Sequence, residues 1–265
     1  MPFASNGDQR IYFAESGAGS PVILGHSFLC SGRMWCEQVP VLARKFRVLN
    51  PDLRGHGKSA EATLPFSLYD AVSDVVAVLD QLAIEKAVWC GLSIGGMVAL
   101  RAALTCPERV AGLILLDTDA GAEMAMRRLK YHAMGHGVRL LGVRPLLSPI
   151  TRLMFGATTL RQNGTLVEEW KQEFATVDVP SIMRGLAALT ERDSLLDRLP
   201  EIRVPALVLV GKEDRSLPPP LSRRIHQRLT DSRFVEVPGA GHLSALEQPT
   251  AVNAEILGFL DQRNG

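Results

Sequence analysis

The sequence predicts an α/β fold: a mostly parallel β-sheet flanked by helices, with a helical cap inserted near the middle of the chain. Two observations carry the prediction. Short apolar, β-rich runs alternate with helical periodicity as far as residue 119 and again from residue 199, the order expected of successive βαβ units. Between them the strand signal stops, and residues 121–198 hold amphipathic, Met- and Arg-containing stretches punctuated by Gly and Pro. The core is therefore expected at 1–120 and 199–265, with 121–198 as an insertion in that core and not an independent domain.

Taken in order, strands are expected at 10–14, 21–25, 46–50, 87–91 and 110–116, with helices at 33–43, 69–82 and 95–105 between them. In the second helix Val72, Val75, Val76, Leu79 and Leu82 recur at helical spacing and mark one buried stripe. After the insertion come a strand at 205–211, a helix at 219–229, a strand at 234–237 and a closing helix at 250–263. The order shows no internal repeat and no low-complexity tract.

The 265 residues, 46% hydrophobic and 22% charged, suit one large globular core. Because 29 Lys+Arg face 28 Asp+Glu, the net charge of +1 gives no general pull toward nucleic acid or an anionic membrane, and a small-molecule partner is expected. The polar start at 1–10 and the lack of any apolar run of about 18 residues predict a cytoplasmic protein that does not span a membrane. Cys30, Cys36, Cys90 and Cys106 form no C-x-x-C pair and no metal pattern with histidine, so reduced core thiols are expected and neither metal nor cofactor is called for.

The segment Gly91-Leu92-Ser93-Ile94-Gly95 lies directly after one predicted strand and directly before a helix. In that setting a G-x-S-x-G turn lifts the serine hydroxyl clear of the sheet, and crowding between strand and helix demands glycine on both sides. It also leaves the Ile94 N–H, at the positive end of the helix, able to bind an oxyanion. A serine hydroxyl is a weak nucleophile and needs a base and a group to orient that base. His242, in the loop Pro238-Gly239-Ala240-Gly241-His242 after the last strand, is the expected base. Asp214, just past a strand end in Gly211-Lys212-Glu213-Asp214, is the expected acid, with Asp117 or Asp119 as alternatives.

A second oxyanion donor is expected from Gly25-His26-Ser27-Phe28, with the Phe28 N–H as the candidate. His26 and His56 are read as loop-bracing residues, and Trp35, Phe28 and Trp170 as candidate walls of the substrate pocket. Gly91-x-x-x-Gly95-Gly96 lacks both the Lys-Ser/Thr ending of a P-loop and the spacing of a dinucleotide fold, which argues against a phosphate cradle. The expected chemistry is attack by Ser93 on an ester or lactone carbonyl, through an acyl-enzyme.

These motifs resemble the α/β-hydrolase superfamily over essentially the whole chain, including the chain order serine, acid, histidine. Cys90-Gly91-Leu92-Ser93-Ile94-Gly95-Gly96-Met97 with Pro107-Glu108-Arg109-Val110 resembles the nucleophile region of 3-oxoadipate enol-lactonases. Ala240-Gly241-His242-Leu243-Ser244 with Glu247-Gln248-Pro249 is similar to their histidine loop, Asp52-Leu53-Arg54-Gly55-His56-Gly57 to their early bracing loop, and Ser27 to their oxyanion loop. The resemblance implies Ser93 as nucleophile, Asp214 as acid and His242 as base. An enol-lactone of a dicarboxylic acid keeps one carboxylate and would want an arginine in the pocket, and the cap holds nine. A carbon–carbon bond hydrolase or a cofactor-free perhydrolase would use the same three residues, and a slow ligand-binding module could retain them. Dehalogenases and epoxide hydrolases of this fold carry an aspartate where Ser93 stands.

Overall fold

The computed structural model describes residues 2–262. Its strands are β1 (Phe3–Asn6), β2 (Gln9–Ser16), β3 (Pro21–Gly25), β4 (Arg47–Pro51), β5 (Ala87–Leu92), β6 (Val110–Leu116), β7 (Ala206–Gly211) and β8 (Ser232–Val237). They form one sheet in the order β1-β2-β4-β3-β5-β6-β7-β8. β1 and β2 run antiparallel, as do β2 and β4, and every later pairing is parallel.

The helices are α1 (Val39–Leu42), α2 (Leu68–Gln81), α3 (Ile94–Thr105), α4 (Ala125–Leu141), α5 (Leu147–Met154) and α6 (Ala157–Gln162). They continue with α7 (Gly164–Phe174), α8 (Val179–Thr190), α9 (Pro219–His226), α10 (Ser244–Glu247) and α11 (Pro249–Asp261). The five helices α4 to α8 all fall between β6 and β7.

β5 and β7 are buried at every residue, as strands covered by helices on both faces must be. Along β5 the side chains alternate between two cores, Val88, Cys90 and Leu92 in one and Ala87 and Trp89 in the other. α2 starts at a capping box in which Ser67 and Asp70 satisfy each other's backbone N–H. Its Val72, Val75 and Leu79 are buried together with Val78, while Val76 and Leu82 lie half-buried at the margin.

The described structure departs from the predictions in five places, the first being α9, which ends at His226, three residues short of the expected 229. β1 pairs with β2 in a hairpin turned at Gly7, whose φ of 58° suits glycine, in a segment too short and polar to read as a strand. The expected helix 33–43 is instead a 3₁₀ turn at Gly32–Trp35 followed by α1. Pro40 is the reason: inside one continuous helix its ring would meet the carbonyl four residues back, so it is confined to the first turn of a new helix. α11 ends at Asp261, and Arg263, the expected end, lies outside the described residues. Of the thiols, Cys30 and Cys90 are core, but Cys36 is exposed and Cys106 half-buried, so the expectation of four core cysteines is corrected to two. No helix among the described residues is long and apolar enough to cross a membrane.

Candidate active site

Ser93 occupies the turn between β5 and α3 with φ 56° and ψ −115°, a backbone region that a non-glycine residue adopts at a cost. The surroundings hold it there. Its N–H bonds to Leu116 O at 2.9 Å, and its carbonyl accepts the Thr118 hydroxyl at 2.7 Å. A Cβ on Gly91 would collide with the Gly95 backbone, and one on Gly95 with the backbone of Gly25, so strand and helix can approach this closely only with both glycines. The Ile94 N–H opens α3, where the helix offers it no acceptor.

Two loops at strand C-terminal ends bring partners to this serine. His242, in the loop after β8, has Nε2 2.9 Å from the Ser93 hydroxyl and Nδ1 2.8 Å from Asp214 Oδ2. Asp214, in the loop after β7, accepts the N–H groups of Ser216 at 2.8 Å and Leu217 at 2.9 Å on its other oxygen, which fixes its plane. Burial works against a charged imidazole, but the charge and hydrogen bond of Asp214 outweigh it and hold the His242 pKa above its ordinary value.

The alternative acids are otherwise engaged. Asp117 accepts Gly211 N–H at 2.7 Å and the Ser244 hydroxyl, and burial, reinforced by the nearby Asp214 charge, pushes its pKa well up. Asp119 binds Gly121 N–H, Arg192 and Arg224.

The histidine loop is clamped to the helices between β6 and β7. His242 N–H bonds to Met154 O at 3.0 Å, and Glu247 accepts from the N–H groups of Gly156, Gly241 and Leu243 and from the Thr159 hydroxyl. Glu213, next to Asp214, likewise accepts both the N–H and the hydroxyl of Thr158. On the other side Asp52 accepts Gly32 N–H at 2.6 Å and Lys58 N–H at 2.8 Å, drawing the β4 loop against the loop that carries Phe28. His26 bridges the same two loops, with Nε2 accepting Leu53 N–H at 2.8 Å and Nδ1 2.8 Å from Ser27 O.

Ser93 and His242 open onto a cavity of about 100 Å³. Phe28 and Ser27 line it from the core side, and α4, α5 and α8 supply mainly apolar walls such as Met134, Val138, Ile150 and Ile182. Trp35 and Trp170, expected as walls, do not line it. Both are buried elsewhere, Trp35 in the core beside β3 and β4 and Trp170 against Phe174 of α7, because a large indole is most stable where it is covered on all sides. The cavity is also lined by three ionisable residues that the sequence does not single out, Glu123, Tyr131 and Arg192. No group of three or more potential ligands among the described residues is placed to hold a metal ion.

A mostly parallel sheet whose central strand ends in a tight serine turn, with a histidine supplied after the last strand, defines an α/β hydrolase fold. The profile of the family described as alpha/beta hydrolase fold matches residues 20–249, and the chain belongs to that family. Among curated relatives it is 28% identical to 3-oxoadipate enol-lactonase 2 of Acinetobacter baylyi, over 92% of this chain and 89% of that one. Among solved structures it resembles a thermophilic esterase from Thermogutta terrifontis, with 30% identity, TM-score 0.93 and coverage of 99% of this chain and 97% of that one. An enol-lactonase from Burkholderia xenovorans LB400 is similar at 26% identity and TM-score 0.92, with coverage of 98% and 100%.

Proposed function

We propose that the protein is a serine hydrolase that cleaves carboxylic esters or lactones through an acyl-enzyme. One observation carries the reading: the unbroken hydrogen-bond chain from Ser93 through His242 to Asp214, at 2.9 and 2.8 Å, facing a cavity. The family's esterase and lactonase members support the substrate class.

In the first half-reaction His242 Nε2 takes the Ser93 proton as the oxygen attacks the carbonyl carbon. The oxyanion so formed is held by the N–H groups of Ile94 and Phe28, each worth about 3 kcal/mol, or roughly a hundredfold in rate. His242 then gives its proton to the leaving alkoxide and the acyl-enzyme remains. Water attacks next, His242 takes its proton and returns it to Ser93 as the acid departs. Asp214 keeps Nδ1–H directed away from the serine and offsets the positive charge on the ring. The test is turnover of p-nitrophenyl acetate by the protein and by Ser93→Ala. Loss of burst and steady-state release in the variant is expected, and equal rates would overturn the reading.

A further inference from the structure

We propose that the buried pair Glu123–Arg192 sets the substrate class of this site: esters whose chain in the cavity is apolar and uncharged, with carboxylate-bearing chains rejected. The inference rests on the reading of Ser93 as an ester-cleaving nucleophile and narrows it.

Arg192 is the only lysine or arginine among the described residues that line the cavity. A substrate carboxylate would need its guanidinium, and that guanidinium is already largely committed to other acceptors. Its Nε donates to Gly121 O at 2.9 Å, Nη1 to Leu189 O at 2.6 Å and to Glu123 Oε2 at 2.8 Å, and Nη2 to Asp119 Oδ2 at 3.4 Å. Those bonds use four of the five donors an arginine has. The side chains of Arg192 and Glu123 are only 2% and 3% exposed, so neither can swing out to solvent to make room. Asp119 is shared with Arg224 at 3.1 Å, so two carboxylates face two guanidinium groups and the cluster carries no net charge.

An incoming carboxylate would therefore have to displace Glu123 or lie desolvated beside it as a like charge, and both routes are costly in an apolar cavity. Beyond Ser93 and His242, the wall residues Ser27, Tyr131 and Ser216 bring hydroxyls but no cation, and the others, among them Met134, Val138, Leu186 and Leu189, offer dispersion and burial. An alkyl chain satisfies them at no electrostatic cost. An enol-lactone that retains a carboxylate asks for the opposite, an arginine with donors to spare.

The test compares p-nitrophenyl hexanoate with the mono-p-nitrophenyl ester of adipic acid, which differ by the terminal carboxylate. For the wild-type protein kcat/KM is expected to favour hexanoate by at least about a hundredfold. Glu123→Gln, which leaves Arg192 with charge to offer, is expected to shift that ratio toward the adipate ester by about tenfold, with the pH profile on hexanoate unchanged. Wild-type kcat/KM values within about threefold of each other would overturn the substrate class while leaving the hydrolase reading intact. Failure to cleave either ester would overturn the hydrolase reading and this inference with it. If Glu123→Gln does not fold, the wild-type ratio decides.

Discussion

His242 on one side, and the pair His26 and His56 on the other, sit on loops at the C-terminal ends of strands of the same sheet, yet their surroundings shift the rings' pKa values in opposite directions. All three are almost wholly buried. His242 meets a carboxylate directly, with Asp117 and Glu247 adding to the negative field, and its pKa rises. His26 and His56 lie with ring centroids 5.4 Å apart and have no carboxylate in hydrogen-bond contact, so burial takes both to about 4. For His56 the neighbouring His26 lowers it further, and Asp52 and Asp178 only partly oppose this. His26 is also fixed in one tautomer, since an Nε2 that accepts Leu53 N–H must be unprotonated. The comparison teaches that burial alone makes a histidine a neutral strut, and that one bonded carboxylate turns it into a base able to carry charge transiently.

The largest expected effect breaks the comparison outright. His242→Ala should lower kcat on a p-nitrophenyl ester by about a millionfold, whereas His56→Asn should keep it within about tenfold, read from initial rates. Similar losses in the two variants would remove the distinction. Next, Asp214→Asn should cost about 10⁴ in kcat, because the ring loses the partner that sets its tautomer. Asp117→Asn should cost far less, since that carboxylate bonds to Gly211 and Ser244 and not to the histidine. A large loss from Asp117→Asn with a small one from Asp214→Asn would reassign the acid.

Two pH experiments sharpen the same contrast. His242 must be neutral to take a proton, so kcat/KM should rise with pH through an apparent pKa above the ordinary 6.5. A limb below that value would show that Asp214 does not charge the ring. The smallest effect concerns stability. His26 and His56 bind protons at about 6.5 in the unfolded chain and about 4 in the folded one, so the unfolded state gains more protons across that window. Stability should thus be full above pH 6.5 and fall as the pH drops toward 4, by on the order of 1–2 kcal/mol per ring at pH 5. Urea midpoints at pH 7 and pH 5 measure it, and His56→Asn should shrink the difference; an unchanged difference would locate the acid sensitivity elsewhere.

How much of this was legible in the chain depends on range. The G-x-S-x-G turn is local: its glycines, serine and flanking periodicities lie within about two dozen residues, and the steric demand that selects them acts between immediate neighbours. The alternation of strand and helix is legible for the same reason, since side-chain period follows backbone geometry. The split of helix 33–43 at Pro40 was also readable in principle, because proline's constraint is local. Trp35 and Trp170 mark where this stops. Their size says that they will be covered, and nothing nearby in sequence says by what.

The sequence by itself determined the α/β architecture and the serine turn, because both follow from periodicity and backbone sterics over short spans. Only the tertiary structure decided which carboxylate meets His242, 28 residues from Asp214 along the chain and 149 from Ser93. It alone selected Arg192 from the nine arginines of residues 121–198 as the one lining the cavity, and committed its donors to Glu123, Asp119 and the carbonyls of Gly121 and Leu189. Hydrogen-bond partnership and burial depend on distances that chain connectivity leaves free until the core has packed.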